Sequence, residues 1–172
     1  DFNIFKALVD AGADIHHQNH REKTLLMTSI NPKHSNILEY LLGQGVDINK
    51  QDKSQQTALF LAVCSGDTKG VQILLNHPDI LIDLCTQTET PLMRAVRFGH
   101  FPIVQILMEH GANILLQDKE GKTALDYAST FARLSKDSKS FEYLESCARA
   151  QEDRQHLQEE LPLSAPKSPR RL

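Results

Sequence analysis

The chain has 172 residues, of which 40% are hydrophobic and 24% are charged. These values are ordinary for a globular protein and exclude wholesale disorder and collagen-like structure, and no apolar run approaches the roughly 20 residues of a membrane span. The net charge of −3 gives no overall attraction to nucleic acid or anionic lipid. Three cysteines are a small and odd number, which argues against a disulfide scaffold and favours a reducing intracellular compartment, cytoplasmic or nuclear.

Two sets of residues recur along the chain with a period of 33. The first set is Thr24, Thr57, Thr90 and Thr123, each followed two residues later by leucine. The second set is Gly12, Gly45, Pro78 and Gly111. Threonine suits the N-cap of a helix, and glycine suits the left-handed residue that closes one. Each period is therefore predicted to hold a helix pair, followed by a turn-rich connection.

In chain order, residues 1–18 carry the apolar stripe of a single helix, and the next units carry two helices each. The most regular unit shows this best: Leu92, Ala95 and Val96 predict a first helix that Gly99 ends. The stripe of its second helix is Ile103, Val104, Ile106 and Leu107. A unit of this size cannot bury its stripe alone, so neighbouring units are expected to stack.

The stretch TPLMRAVRFGHFPIVQILMEHGANILLQDKEGKTALDYA over 90–128 resembles the ankyrin repeat and its T-P-L-H-x-A-A-x-x-G-H pattern. The resemblance covers about 1–147 and implies an all-α solenoid of stacked helix pairs joined by β-hairpin-like loops. It divides the chain into the second half of a truncated repeat, three repeats, a C-terminal capping repeat, and a charged helix extension with a disordered basic tail. These segments are 1–18, 19–51, 52–84, 85–117, 118–147 and 148–172.

Some positions depart from the family pattern. The motif histidine is replaced in turn by Met27, Phe60, Met93 and Asp126. Pro32 and Lys33 stand where a glycine should separate two helices, which makes 19–51 the least regular repeat. Gly70 occupies the position of Ile103 one unit later and is expected to thin a helix–helix contact.

No catalytic or metal-binding pattern emerges from the sequence. His16, His17 and His20 lie close together but fall in a predicted connection, without the companion ligands of a zinc motif. Cys64, Cys85 and Cys147 are scattered over separate units and are interpreted as structural or exposed thiols. The lysines of the hairpins alternate with acids, unlike a phosphate-binding track. We expect neither an enzyme nor a bound cofactor, metal or nucleic acid.

The resemblance implies that hairpin tips and inner helices line a concave groove that binds another protein. Arg97 and Phe98 follow the inward-facing part of their helix and are predicted, with Leu84, to form the binding centre, flanked by Glu89 and Lys122. The remaining predicted partner-binding residues are Lys53, Gln56, Thr86, Gln87 and Lys119. Alternatively, Phe98 packs against the adjacent hairpin and has only a structural role.

Two further possibilities follow from the sequence. The chain is expected to act as a monomeric, non-catalytic binding module or scaffold; alternatively, it is the targeting or regulatory ankyrin segment of a larger enzyme, channel or ubiquitin-ligase subunit.

In the basic tail, Ser168 precedes proline and two arginines, as in proline-directed kinase sites. Ser168 is therefore a candidate phosphorylation site, where a phosphate would offset the local positive charge.

Overall fold

The computed structural model describes residues 2–135 and 138–159. The regular elements within these residues are helices, so the predicted all-α class is confirmed. Their bounds are α1 Phe2–Asp10, α2 Leu25–Thr28, α3 Ser35–Gly43, α4 Ala58–Ser65, α5 Thr68–Leu75, α6 Pro91–Arg97, α7 Phe101–Glu109, α8 Ala124–Ser135 and α9 Lys139–Glu159, with a short 3-10 turn over Pro32–His34.

The helices stack in two rows. The inner row runs α2, α4, α6, α8, and the outer row runs α1, α3, α5, α7, α9, with each helix contacting its neighbours in the same row. One continuous apolar core lies between the rows and includes Leu59, Val63, Leu92, Ile103 and Leu107, each at most 1% exposed. The predicted solenoid, in which each unit buries its stripe against the next, is thus confirmed.

Threonine N-caps begin the inner helices, as the 33-residue period predicts. The hydroxyl of Thr57 accepts a hydrogen bond from the Phe60 N–H at 3.1 Å, and that of Thr90 accepts one from the Met93 N–H at 3.2 Å. Met93 is buried and its sulfur accepts the Thr90 N–H at 3.5 Å. At this position the substitution of the motif histidine therefore keeps a reciprocal cap, with a weaker acceptor.

The loops between units are closed by acidic or amide side chains. The Asp52 N–H donates to the Gln56 carbonyl at 3.0 Å, and the Asp52 carboxylate accepts the N–H groups of Ser54 and Gln56, both at 2.9 Å. Asn19 and Asp118 repeat this arrangement one period before and two periods after. Such side-chain-closed turns hold the hairpin-like shape without a β-sheet.

The second unit is irregular for the reason that its sequence predicts. The helix α2 spans four residues, and the chain then enters the 3-10 turn, where the Asn31 side chain accepts the Lys33 N–H at 2.9 Å. Without the separating glycine, the chain cannot make the left-handed closure that Gly66 and Gly99 make in later units at φ of 68° and 66°.

Gly70 has a role that the sequence did not reveal. The buried Asp67 carboxylate caps α5 by accepting the Gly70 N–H at 2.9 Å. A Cβ on Gly70 would lie 2.7 Å from the Asp67 Oδ2. The absence of a side chain at the buried Gly70 therefore admits the cap, and the expected thinning of the helix–helix contact stays a prediction.

The C-terminal helix α9 runs without interruption across the predicted boundary between residues 147 and 148. Leu144 and Ala148 of this helix contribute to the core. Ser168 lies outside the described residues. No helix in the described part of the chain has the length and apolar character required to cross a membrane. The proposed segment boundaries stay predictions.

Candidate functional site

A buried carboxylate lies beneath the exposed end of α6. Glu89 directly precedes the N-cap Thr90, and its side chain is only 1% exposed. Its two oxygens pair with two arginines of the same helix: Oε1 with Nη2 of Arg94, and Oε2 with Nη1 of Arg97 at 3.1 Å. The arginines are three residues apart and so lie on one helix face. A buried carboxylate needs such partners, because removal from water strongly disfavours an unpaired charge.

Arg94 fixes the floor of this site. Its guanidinium carbon lies 5.1 Å from the centre of the Phe60 ring and 5.0 Å from that of Phe98, within the range of cation–π contacts. The Phe98 ring also meets His100 edge-on at 5.9 Å, yet remains 49% exposed. Phe98 therefore combines an intramolecular contact with a substantial free apolar surface.

Arg97 reaches from Glu89 toward the next unit. Its side chain is 47% exposed, and its guanidinium carbon lies 5.3 Å from the Tyr127 ring centre. The Lys122 ammonium lies 5.9 Å from the same ring. The Tyr127 hydroxyl donates to Asp118 Oδ2 at 2.5 Å. This hydrogen bond requires a protonated phenol and an ionised carboxylate. It therefore raises the pKa of Tyr127 to about 12 and lowers the pKa of Asp118.

These groups surround a cleft of about 280 Å³ between two hairpins and two inner helices. Its hairpin residues are Thr88, Glu89, Asp118, Lys119 and Glu120, and its helix residues are Arg94, Arg97 and Tyr127. We call this space the Arg97 cleft. An adjoining cleft of about 260 Å³ lies along the two hairpins and is lined in part by Thr86, Gln87 and Lys119.

Family profiles match most of the repetitive part of the chain. The profile described as ankyrin repeats (3 copies) matches residues 1–84, and the one described as ankyrin repeats (many copies) matches residues 73–128. The chain is an ankyrin-repeat protein. No curated protein matches it significantly. Ankyrin repeats generally serve as protein–protein interaction modules and are typically non-catalytic.

The ankyrin array brings together part of the set that the sequence predicts. Arg97 and Lys119 line the Arg97 cleft, while Lys122 reaches its edge at the Tyr127 ring. Phe98 adjoins it through Arg94. Leu84 is half-buried and does not line either cleft. Lys53 and Gln56 lie in the preceding hairpin, where Lys53 is exposed and Gln56 half-buried.

The predicted role of Glu89 requires a correction. The sequence places it among the polar rim residues of the binding centre, but burial keeps its carboxylate from a partner. The physical reason is the pair of arginines on α6, which attract the carboxylate inward and cover it. Glu89 therefore holds Arg94 and Arg97 in place through its two ion pairs.

Three residues of the cleft were not predicted from the sequence: Arg94, Tyr127 and Asp118. The period contains a signal for them: Arg94 and Tyr127 occupy equivalent positions of neighbouring inner helices, and Asp118 continues the turn-closing series of Asn19 and Asp52. Arg94 lies one helical turn before Arg97, and a step of one period from Arg94 gives Tyr127.

Other chemistry-bearing residues are not assembled into a site. Within residues 2–135 and 138–159, no group of three or more His, Cys, Asp or Glu side chains is placed to hold a metal, and the three cysteines are free. Burial raises the pKa of the Cys64 thiol, which disfavours the reactive thiolate. His16, His17 and His20 are exposed in the first connection.

Proposed function

We propose that this ankyrin array binds a partner protein through the groove formed by its hairpin tips and inner helices, with Arg97 and Phe98 at the centre. The observation that supports this proposal is the exposure of these two adjacent side chains above the buried Glu89 and the half-buried Arg94. Arginine and aromatic residues dominate the energetics of protein interfaces. Here both are held in place before any partner arrives.

Pre-organisation lowers the cost of binding. Arg94 is restrained by Glu89 and by two aromatic rings, and Arg97 by Glu89 and Tyr127. Side chains that are already ordered lose less conformational entropy on association. The remaining rim would be supplied by Leu84, Thr86, Gln87, Lys53, Gln56, Lys119 and Lys122.

We also propose how the module acts in the cell. It acts without a cofactor as a monomeric binding unit or scaffold in a reducing compartment, the cytoplasm or nucleus. The alternative, a targeting or regulatory segment of a larger enzyme, channel or ubiquitin-ligase subunit, stays a prediction that the full reading frame would test. Modification of Ser168 likewise stays a prediction, and mass spectrometry after treatment with a proline-directed kinase would test it.

Affinity capture with matched variants tests the binding proposal. Wild-type protein, Phe98→Ala, Arg97→Ala and Ile4→Ala would serve as baits, with captured proteins quantified by mass spectrometry. Ile4 is 63% exposed on the outer helix α1 and controls for the loss of an exposed apolar side chain. We expect one set of proteins to be depleted at least about tenfold from the Phe98→Ala and Arg97→Ala baits but retained by Ile4→Ala.

Thermal melting of the same variants separates binding from folding. A Phe98→Ala variant with unchanged capture and a lowered melting temperature would show that the ring serves the fold, as the alternative interpretation holds. Equal capture by all four baits would refute the groove as the binding surface.

A further inference from the structure

We propose that the Arg97 cleft binds an acidic side chain of the partner, so that the segment seated in the groove is an acidic peptide. This inference rests on the proposed function and adds the chemical class of the ligand. It follows from comparing the carboxylates of the cleft, which already form hydrogen bonds or ion pairs within the protein, with its cationic donors, which have capacity left.

The acidic groups of the cleft are occupied within the protein. Asp118 accepts N–H groups from Glu120 at 2.8 Å and Lys122 at 2.9 Å through one oxygen, and the Tyr127 hydroxyl through the other. Glu120 pairs with the Lys122 ammonium at 2.7 Å. Glu89 is buried between its two arginines. Asp118 and Glu89 are thus not open acceptors for a basic ligand, and the charge of the exposed Glu120 is offset by its ion pair with Lys122.

The cationic groups retain free donors. The hydrogen bond described for Arg97 uses Nη1 alone, and a guanidinium has five N–H groups. Lys119 lines the cleft, is exposed, and its ammonium donates no hydrogen bond and forms no ion pair within the described residues. A ligand that supplies acceptors and negative charge would satisfy both groups.

The geometry of Arg97 favours a carboxylate. Glu89 holds one edge of its guanidinium, and the Tyr127 ring lies against it at 5.3 Å. A restrained planar fork suits two-point recognition of a carboxylate. The charged residues that line the cleft balance, with Arg94, Arg97 and Lys119 against Glu89, Asp118 and Glu120, and Lys122 adds one cation at its edge.

A displayed library of random 12-residue peptides tests the inference without a known partner. Selections would be carried out on wild-type protein, Arg97→Gln, Lys119→Gln, Phe98→Ala and the control Lys69→Gln. Lys69 is an exposed lysine of the outer helix α5 and matches the Lys119 substitution in charge. Lys119→Gln is needed beside Arg97→Gln because Arg97 also binds Glu89, whereas Lys119 has no such contact.

We expect selected peptides to be enriched in Asp and Glu on the wild-type and Lys69→Gln proteins. The enrichment should disappear with Arg97→Gln and weaken with Lys119→Gln. For a selected peptide, Arg97→Gln should raise the Kd at least about tenfold, and Lys119→Gln by about two- to fivefold. Replacing the peptide's Glu or Asp by its amide should weaken binding, whereas amidating its C-terminus should not.

Three outcomes would overturn the inference. Peptides without acidic enrichment whose binding is lost in Phe98→Ala would refute the acidic ligand and leave the groove proposal intact. Acidic enrichment that persists in both Arg97→Gln and Lys119→Gln would place the acidic site elsewhere. A selection that yields no binders, or binders that are indifferent to Phe98→Ala, would count against the inference and the proposed function together.

Discussion

Replacing Glu89 with glutamine tests the central feature of the site, the buried carboxylate between two arginines. The substitution keeps the shape of the side chain and one carbonyl acceptor but removes the negative charge. Because the Glu89 side chain is 1% exposed, water cannot replace what is lost. The arginines retain their positive charges, now close together without a counter-ion.

The size of the effect follows from the two contacts. A hydrogen bond to a charged group contributes about 1.5–3 kcal/mol and a neutral one about 0.5–1.5 kcal/mol, so neutralising Glu89 should cost about 1 kcal/mol per arginine. The total is about 2 kcal/mol, below the roughly 3–5 kcal/mol of a fully buried pair, since Arg94 and Arg97 are 23% and 47% exposed.

Urea denaturation followed by circular dichroism would measure this loss, with Glu120→Gln as the matched control. Glu120 also forms an ion pair, with Lys122 at 2.7 Å, but both side chains are exposed. The control should therefore lose less than about 1 kcal/mol. If Glu89→Gln were as stable as wild type, or only as affected as the control, the buried ion pair would not be the anchor of the site.

Three further predictions concern the hydrogen bond of Tyr127, the helix cap at Gly70 and the stability of α1. Asp118→Asn should return the pKa of Tyr127 from about 12 toward 10.0, as measured by ultraviolet difference titration, and an unshifted titration would contradict the hydrogen bond. Because the folded protein holds the phenol proton more tightly than the unfolded chain, the contribution of Tyr127 to stability is constant below pH 10 and is lost between about pH 10 and 12. Gly70→Ala should lower the unfolding free energy by about 1 kcal/mol, because the new Cβ would crowd the Asp67 carboxylate and disturb a buried cap. Gly43 has open space around it, so Gly43→Ala should not destabilise the protein. Equal effects of the two substitutions would argue against crowding at Asp67. The helix α1 has no buried residue, whereas α4 has five. Amide hydrogens of α1 should therefore exchange at least about tenfold faster than those of α4, as measured by mass spectrometry. Equal protection of the two helices would refute a stability gradient along the array.

The fold was predictable because its determinants are local and recur. Threonine caps such as Thr57 and Thr90 act through the first turn of their own helices, and a 33-residue period reveals them without tertiary information. Even the irregular second unit follows from two local substitutions, Pro32 and Lys33. The role of Gly70 was harder to predict from the sequence, because it depends on the orientation of the Asp67 side chain three residues earlier.

The site was predictable only in part, because it depends on side chains from three different segments. The exposed position of Arg97 and Phe98 follows from helix periodicity. The burial of Glu89 depends on two arginines that turn back toward their own hairpin, and the position of Tyr127 depends on how the next unit stacks. A sequence period gives equivalent positions, but it does not state which side chains meet across an interface.

The cluster of Glu89, Arg94 and Arg97 is not part of the 33-residue pattern. Positions equivalent to Glu89 hold Lys23, Gln56 and Lys122, and those equivalent to Arg94 hold Thr28, Leu61 and Tyr127. These other units stack with neighbours in the same two rows without a buried carboxylate at that place. A buried ion pair is costly to assemble and weak as a source of stability when an apolar core would serve. The cluster occurs once among the four equivalent sets and presents an arginine and a phenylalanine to solvent, which is the arrangement that the proposed recognition role requires.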